Sequence, residues 1–173
     1  MVKQSTRLSP EEFVKEFYPF AKQTQDKTGI SALFILAQAA LESAWNGSSP
    51  GWMLFGKKDT DGINGNEQLL RTSEYLSTDK AKFPEIISIK WDAAKKLYHY
   101  IIKDYFRKYN TPEECFTDHA NFFFKYPRYR EALLVKGDPY KFSMAIARAG
   151  YATAPGYGET LVKMINKIKY LVP

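Results

Sequence analysis

The sequence predicts a mainly helical α+β fold in which a small β-containing lobe, at about residues 52–109, is inserted between helical parts. Three observations carry this reading. Capped patterns with helical spacing occupy both ends of the chain, and a glycine-punctuated middle carries runs of β-branched and aromatic residues. At 173 residues the chain suits a single domain, taken as residues 1–173, and is long enough to bury a substantial core. The resulting two lobes are expected to flank a substrate cleft.

The elements follow in order. Ser9-Pro-Glu-Glu12 combines an N-cap Ser, Pro at the first helical position and Glu in the capping-box place. The helix it opens shows Phe13, Val14, Phe17, Phe20 and Ala21 at helical spacing and ends near Gly29. A second helix is read from Ser31 to Trp45, rich in Ala and Leu, with Ser31 as its N-cap and no Pro or Gly inside. It is apolar nearly all round, as a helix buried in a core would be. Asn46-Gly47 and Ser48-Ser-Pro-Gly51 close it with a turn cluster.

In the middle, Asp61-Gly62 and Asn64-Gly65 are turn dipeptides, and Leu69–Leu76, Ile86–Trp91 and Tyr98–Tyr109 are read as strands. The last of these also fits a helical stripe through Leu97, Tyr98, Ile101, Ile102 and Tyr105. Helical signals then return. Thr111-Pro-Glu-Glu114 is a second capping box for a helix through His119 and Phe123, which Pro127 stops. A short helix spans Tyr129 to Val135, another starts at Asp138-Pro139 and ends at Gly150, and a last one runs from about Tyr157 to Leu171. Lys163, Lys167 and Lys169 mark the wet side of that final helix.

Composition narrows the function classes. A formal net charge of +6 favours an anionic partner, but the charge is spread along the chain without the dense Lys/Arg block of a nucleic-acid tail. Aromatics reach 16%, enough for a packed core and for a groove in which sugar rings stack on aromatic faces. The single cysteine, Cys115, excludes an internal disulfide and reads as a buried helix residue. Met1-Val-Lys-Gln-Ser-Thr-Arg7 lacks the apolar core of a signal peptide, and no run approaches the length of a membrane span. Nothing resembles a phosphate loop, and His99 and His119 show no metal-ligand spacing, so neither cofactor nor metal is expected. His119, beside Asp118 on an apolar helix, reads as a core histidine with a partner.

The chemistry centres on Glu42, near the end of the apolar second helix. Burial and the negative end of the helix dipole would both favour the protonated carboxyl, the form a general acid needs. The alternative is a helix-end Glu that reaches solvent or pairs with a Lys. Glycosidic cleavage commonly needs a second carboxylate. Asp59, Asp61, Glu67, Glu74 and Asp79 all lie in the middle lobe, and spacing does not choose among them. Glu74 has the best local context, in the most strand-like piece, although an exposed strand carboxylate is the plainer account. Trp45, Phe55, Gly56, Tyr126, Tyr129 and Tyr157 are candidates for a sugar groove, with core packing the competing role.

Taken in order, Gln38-Ala-Ala-Leu-Glu-Ser-Ala-Trp45, Leu54-Phe-Gly56, Thr72-Ser-Glu-Tyr75, Phe106-Arg-Lys-Tyr109, Asp118-His119, Pro127-Arg-Tyr129 and Ala149-Gly-Tyr-Ala-Thr153 form a set. That set resembles the bacterial endo-β-N-acetylglucosaminidases of glycoside hydrolase family 73. The resemblance covers the chain from about residue 10 onward. It implies a lysozyme-like fold and hydrolysis of the N-acetylglucosaminyl-β-1,4-N-acetylmuramic acid bond of peptidoglycan glycan strands. It also implies Glu42 as general acid, Glu74 as the second carboxylate and Tyr151 as the tyrosine lining the −1 subsite. Without it, Tyr151 would be an ordinary aromatic after a helix C-cap. The chain departs from the pattern at Trp52-Met53, where Asn residues are common, at Ser73 in place of Thr, and in a longer segment between Tyr75 and Phe106.

Either Glu74 activates water in an inverting reaction, with carboxyl groups roughly 6.5–9.5 Å apart, or the substrate's acetamido oxygen attacks the anomeric carbon, with Tyr151 and Glu74 as candidates to stabilise the intermediate. A muramidase or lytic transglycosylase of the same fold is the nearest rival enzyme, and a non-catalytic cell-wall-binding protein is the rival from another class. A monomer acting at the wall is expected, with neither nucleic acid nor a membrane span involved. A phage endolysin released through a holin, an injected effector and an excised autolysin domain all suit the chain.

Overall fold

The computed structural model describes residues 6–173, so the first five residues, on which the reading of a missing signal peptide largely rests, lie outside the described residues. The described chain is α+β and mostly helical. Five α-helices are accompanied by one three-stranded antiparallel sheet. It divides into a helical unit, residues 6–55 with Tyr109–Pro173, and a sheet unit, Gly56–Lys108. No helix among the described residues is long and apolar enough to cross a membrane.

In the helical unit, α1 (Pro10–Thr28) begins with the capping box its sequence predicts. Ser9 Oγ accepts from the Glu12 N–H at 3.1 Å, and the Glu12 carboxylate accepts from the Ser9 N–H at 2.8 Å. The helix ends where Gly29 takes φ +77°, a left-handed conformation that glycine adopts without a Cβ clash. Next comes α2 (Ala32–Ser43), in which eight of the nine residues from Ala32 to Ala40, all but Leu33, are buried. Ser31 does not cap this helix with its side chain. The Gln25 side chain does so from the preceding helix, accepting from the Ala32 N–H at 2.8 Å.

The remaining helices are α3 (Pro112–Lys125), α4 (Pro139–Arg148) and α5 (Tyr157–Ile168). Thr111 caps α3 through the Glu114 N–H, but the Glu114 carboxylate reaches back to Asn110 rather than to Thr111, so only half of the expected box closes. Asp138 caps α4 by accepting from Tyr140 and Lys141. The expected helix over Tyr129–Val135 is instead two 3₁₀ turns, Pro127–Tyr129 and Ala132–Val135. Proline at the start and a run of only a few residues favour the tighter turn. Phe34, Phe123 and Phe142 meet edge to face at the centre, with centroids 4.6–5.9 Å apart. Cys115 is buried in this core as its sequence context suggests.

The sheet unit holds β1 (Glu67–Leu76), β2 (Glu85–Asp92) and β3 (Leu97–Arg107), ordered β1-β3-β2. The segment that fits both periodicities is the central strand, β3. Its neighbours on both sides satisfy its backbone, and Tyr100 and Ile102 are fully buried on one face. Tyr100 is held by the 78–83 segment, donating to the Thr78 carbonyl at 2.8 Å and meeting Phe83 edge-on. Arg107 ties the glycine-rich 57–66 segment to the end of β3 through Asp59 at 3.1 Å and Asp61 at 2.7 Å.

Candidate active site

Helix α2 sets out the first group of candidates. Gln38 and Glu42 are four residues apart and so share one helix face. Gln38 is fully buried, whereas Glu42, in the last turn, is exposed. The expectation that Glu42 would be buried is therefore corrected. The apolar composition of α2 hides its middle, but the helix stops at Ser43, and Ala44 and Trp45 take φ +52° and +65°. This turn brings the last residues of the helix to the surface. The outer segment is anchored by Leu8, whose N–H donates to the Trp45 carbonyl at 2.9 Å.

Glu42 is solvent-facing but not free. The Tyr157 hydroxyl donates to its Oε1 at 3.1 Å. The same phenol oxygen accepts from Gln38 Nε2 at 3.0 Å. Behind Gln38, its Oε1 lies 2.6 Å from His119 Nε2. The His119 ring stacks on Phe55, with centroids 3.7 Å apart and planes 12° from parallel. A continuous chain of hydrogen bonds thus runs His119, Gln38, Tyr157, Glu42. It draws on α2, α3 and α5, together with the Leu54-Phe-Gly56 segment that supplies Phe55.

Tyr151 joins this group from the turn after α4. Gly150 at φ +82° reverses the chain, and the Tyr151 N–H donates to the Ile146 carbonyl at 3.1 Å. Its ring lies against Tyr157 at 5.3 Å and Phe123 at 5.7 Å. Burial, then the Glu42 charge, pushes the Tyr151 phenol well above the ordinary tyrosine range. The Tyr157 phenol is pushed up as well, chiefly by burial. The Gln38 bond opposes this, while Tyr151 and Glu42 add to it. Both phenols therefore stay protonated at any physiological pH and act as hydrogen-bond donors, not bases.

The other groove candidates separate. Trp45 is only 6% exposed and lies edge-on to Phe13 at 5.4 Å, and Tyr129 is fully buried beside Phe123. Both sit in the core. Phe55 is half-buried under His119, Tyr126 is 40% exposed, and Gly56 is exposed at the start of the sheet unit. In the sheet unit, Glu74 stands on β1 opposite Tyr100 of β3. Its Oε1 pairs with Lys58 Nζ at 2.7 Å, and Lys58 also reaches Asp104 at 2.9 Å. Burial works against the Lys58 charge, but Glu74 and Asp104 outweigh it and hold the ammonium more basic than usual. Among the described residues no cluster of three or more His, Cys, Asp or Glu is arranged to hold a metal ion.

Sequence reasoning singled out Glu42 and the tyrosines but gave Gln38 no task. Its signal was available: an amide inside an otherwise apolar helix, one turn before the carboxylate. His119 does have a partner, as its context suggests, and Gln38 is one. Asp118 receives the Tyr109 hydroxyl at 2.5 Å.

Comparison with known proteins supplies an independent line. Residues 18–170 match the family model of glucosaminidase, described as mannosyl-glycoprotein endo-beta-N-acetylglucosaminidase. The peptidoglycan hydrolase FlgJ of Vibrio parahaemolyticus is 30% identical over 93% of this chain and 48% of its own length. A probable N-acetylmuramidase of Lactococcus lactis is 29% identical over 95% of this chain and 35% of its own length. The chain thus spans less than half of either relative. A C-terminally truncated glycoside hydrolase domain from Salmonella typhimurium FlgJ superposes with a TM-score of 0.70 at 26% identity, over 94% of this chain and 99% of that one. The lysozyme-like α+β fold implied by the motifs is the fold found.

Proposed function

We propose, since the chain belongs to the glucosaminidase family of glycoside hydrolases, that it hydrolyses the N-acetylglucosaminyl-β-1,4-N-acetylmuramic acid bond of peptidoglycan. Residues 1–173 are read as one glucosaminidase domain acting as a monomer at the cell wall. The observation that carries the reading is the setting of Glu42. Its Oε1 is engaged by Tyr157 while the side chain faces solvent, so Oε2 is the oxygen placed to pass a proton to a glycosidic oxygen. Tyr151, protonated and packed against Tyr157, is suited to steady the acetamido group of the sugar whose bond breaks.

Glu74 is the second carboxylate of this reading. As base it would take a proton from the attacking water. In the substrate-assisted variant the acetamido oxygen attacks instead, and Glu74 supports the resulting positive charge. Lys58, paired with it at 2.7 Å, favours the ionised carboxylate that a base needs. The Lactococcus relative, a probable N-acetylmuramidase, favours a second reading, cleavage on the muramic acid side. The net charge of +6 suits approach to an anionic wall under either reading.

Glu42→Gln and Glu74→Gln, assayed for clearing of purified sacculi, test the assignment. Loss of a general acid removes about 10²–10⁴-fold in rate, so Glu42→Gln is expected to abolish visible lysis while thermal unfolding stays that of the parent. Lysis near the parent rate in Glu42→Gln would overturn it.

A further inference from the structure

We propose that His119 and Gln38 are positioning residues, which act through Tyr157 to fix the oxygen of Glu42 that carries the catalytic proton; this rests on the reading of Glu42 as general acid. Ionised, Glu42 only accepts, so the Tyr157 hydrogen points at its Oε1. The phenol oxygen must then accept, and it does so from Gln38 Nε2. With its NH₂ committed to Tyr157, Gln38 can face His119 only with its carbonyl oxygen, so His119 Nε2 must carry a hydrogen. Each link has one permitted direction, and all donors point towards Glu42.

A relay with a single direction has a mechanical use. A tyrosine hydroxyl alone can rotate, and a side-chain amide alone can turn over. Gln38 is fully buried, so a turned amide would set its NH₂ against the His119 N–H and leave the phenol oxygen without its donor. His119 prevents that turn, and its own ring is held flat against Phe55 at 3.7 Å. The phenol is consequently held on Oε1, and a proton taken up by Glu42 is directed to Oε2, the oxygen to which this relay supplies no donor. Neither His119 nor Gln38 needs to touch substrate or change charge for this.

The test uses three variants of the whole chain on a soluble glycan oligomer, with thermal unfolding as the check on folding. His119→Phe keeps an aromatic ring on Phe55 and removes the Nε2 donor to Gln38 together with the second ring nitrogen. It is expected to lower kcat about tenfold, the worth of one hydrogen bond, with KM changed by no more than roughly twofold. His119→Gln restores an N–H donor and should recover most of that loss. Gln38→Glu keeps shape but turns a donor into an acceptor. It draws the Tyr157 hydrogen away from Glu42 and should cost kcat at least as much. A His119→Phe variant with parental kcat overturns the proposal, as does equal damage from His119→Phe and His119→Gln.

A second readout does not depend on turnover. Nitrogen NMR of the parent ring should find His119 protonated at Nε2, and a neutral ring protonated at Nδ1 alone overturns the relay. If the parent releases no reducing ends from glycan, the proposed function fails, and the ring tautomer still decides the relay.

Discussion

A carboxyl group delivers a proton from a defined position only when its two oxygens differ, and at Glu42 they differ because Tyr157 engages one of them. The consequence for Tyr157→Phe is specific. The variant keeps the ring against Tyr151 at 5.3 Å and loses only the hydroxyl. It should lower kcat about tenfold or more and leave KM nearly unchanged, which initial-rate kinetics on a soluble glycan would check. Parental kcat would mean that the hydroxyl does not orient the acid. At this scale the sequence identified Glu42 but not its exposure. Hydropathy marks a helix as buried without saying at which residue the chain turns out of it. That depends on the left-handed residues Ala44 and Trp45, neither of which is a glycine that would announce the turn. Similarly, Trp45 and Tyr129 were visible as aromatics of the right kind, but an aromatic ring suits a core and a groove equally, and only packing against Phe13 and Phe123 assigns them to the core.

Elements bring these residues together, and two contacts between helices matter most. Gly158 lets α5 approach α4. A Cβ there would lie 2.9 Å from Met144 Sδ and 3.1 Å from Ala147 Cβ. Gly158→Val should destabilise the fold by about 1–3 kcal/mol through overpacking, seen as a lower Tm, and unchanged stability would show that the helices can spread. Between α1 and α3, Lys27 and Thr117 both bond the buried Glu113, at 2.8 Å and 2.5 Å. Burial raises the Glu113 pKa, but these two partners together hold it below the ordinary carboxylate range. A lowered folded pKa gives stability that is present above the unfolded value, about 4.3, and is lost as pH falls through the folded value. Thermal unfolding across the acid range should therefore show a shallower acid loss in Glu113→Gln than in the parent, and equal slopes would contradict the clasp.

Caps and strands were legible because they are local. Ser9, Asp138 and the glycine turns announce themselves within a few residues. The Ala32 cap was not legible, since its acceptor, Gln25, belongs to the preceding helix. The central strand was ambiguous for a related reason: residues 97–107 fit two periods, and pairing with β1 and β2, distant in sequence, decides between them.

At the scale of the molecule, the helical unit carries the Glu42 relay and the sheet unit carries Glu74. The family match runs from residue 18 to 170, across the sequence of both units. The central claim is the bond that is cut, and it leaves a chemical mark. Purified sacculi digested with the protein, reduced and analysed by mass spectrometry should yield muropeptides with N-acetylglucosamine at every new reducing end. N-acetylmuramic acid or its anhydro form at those ends would contradict the account.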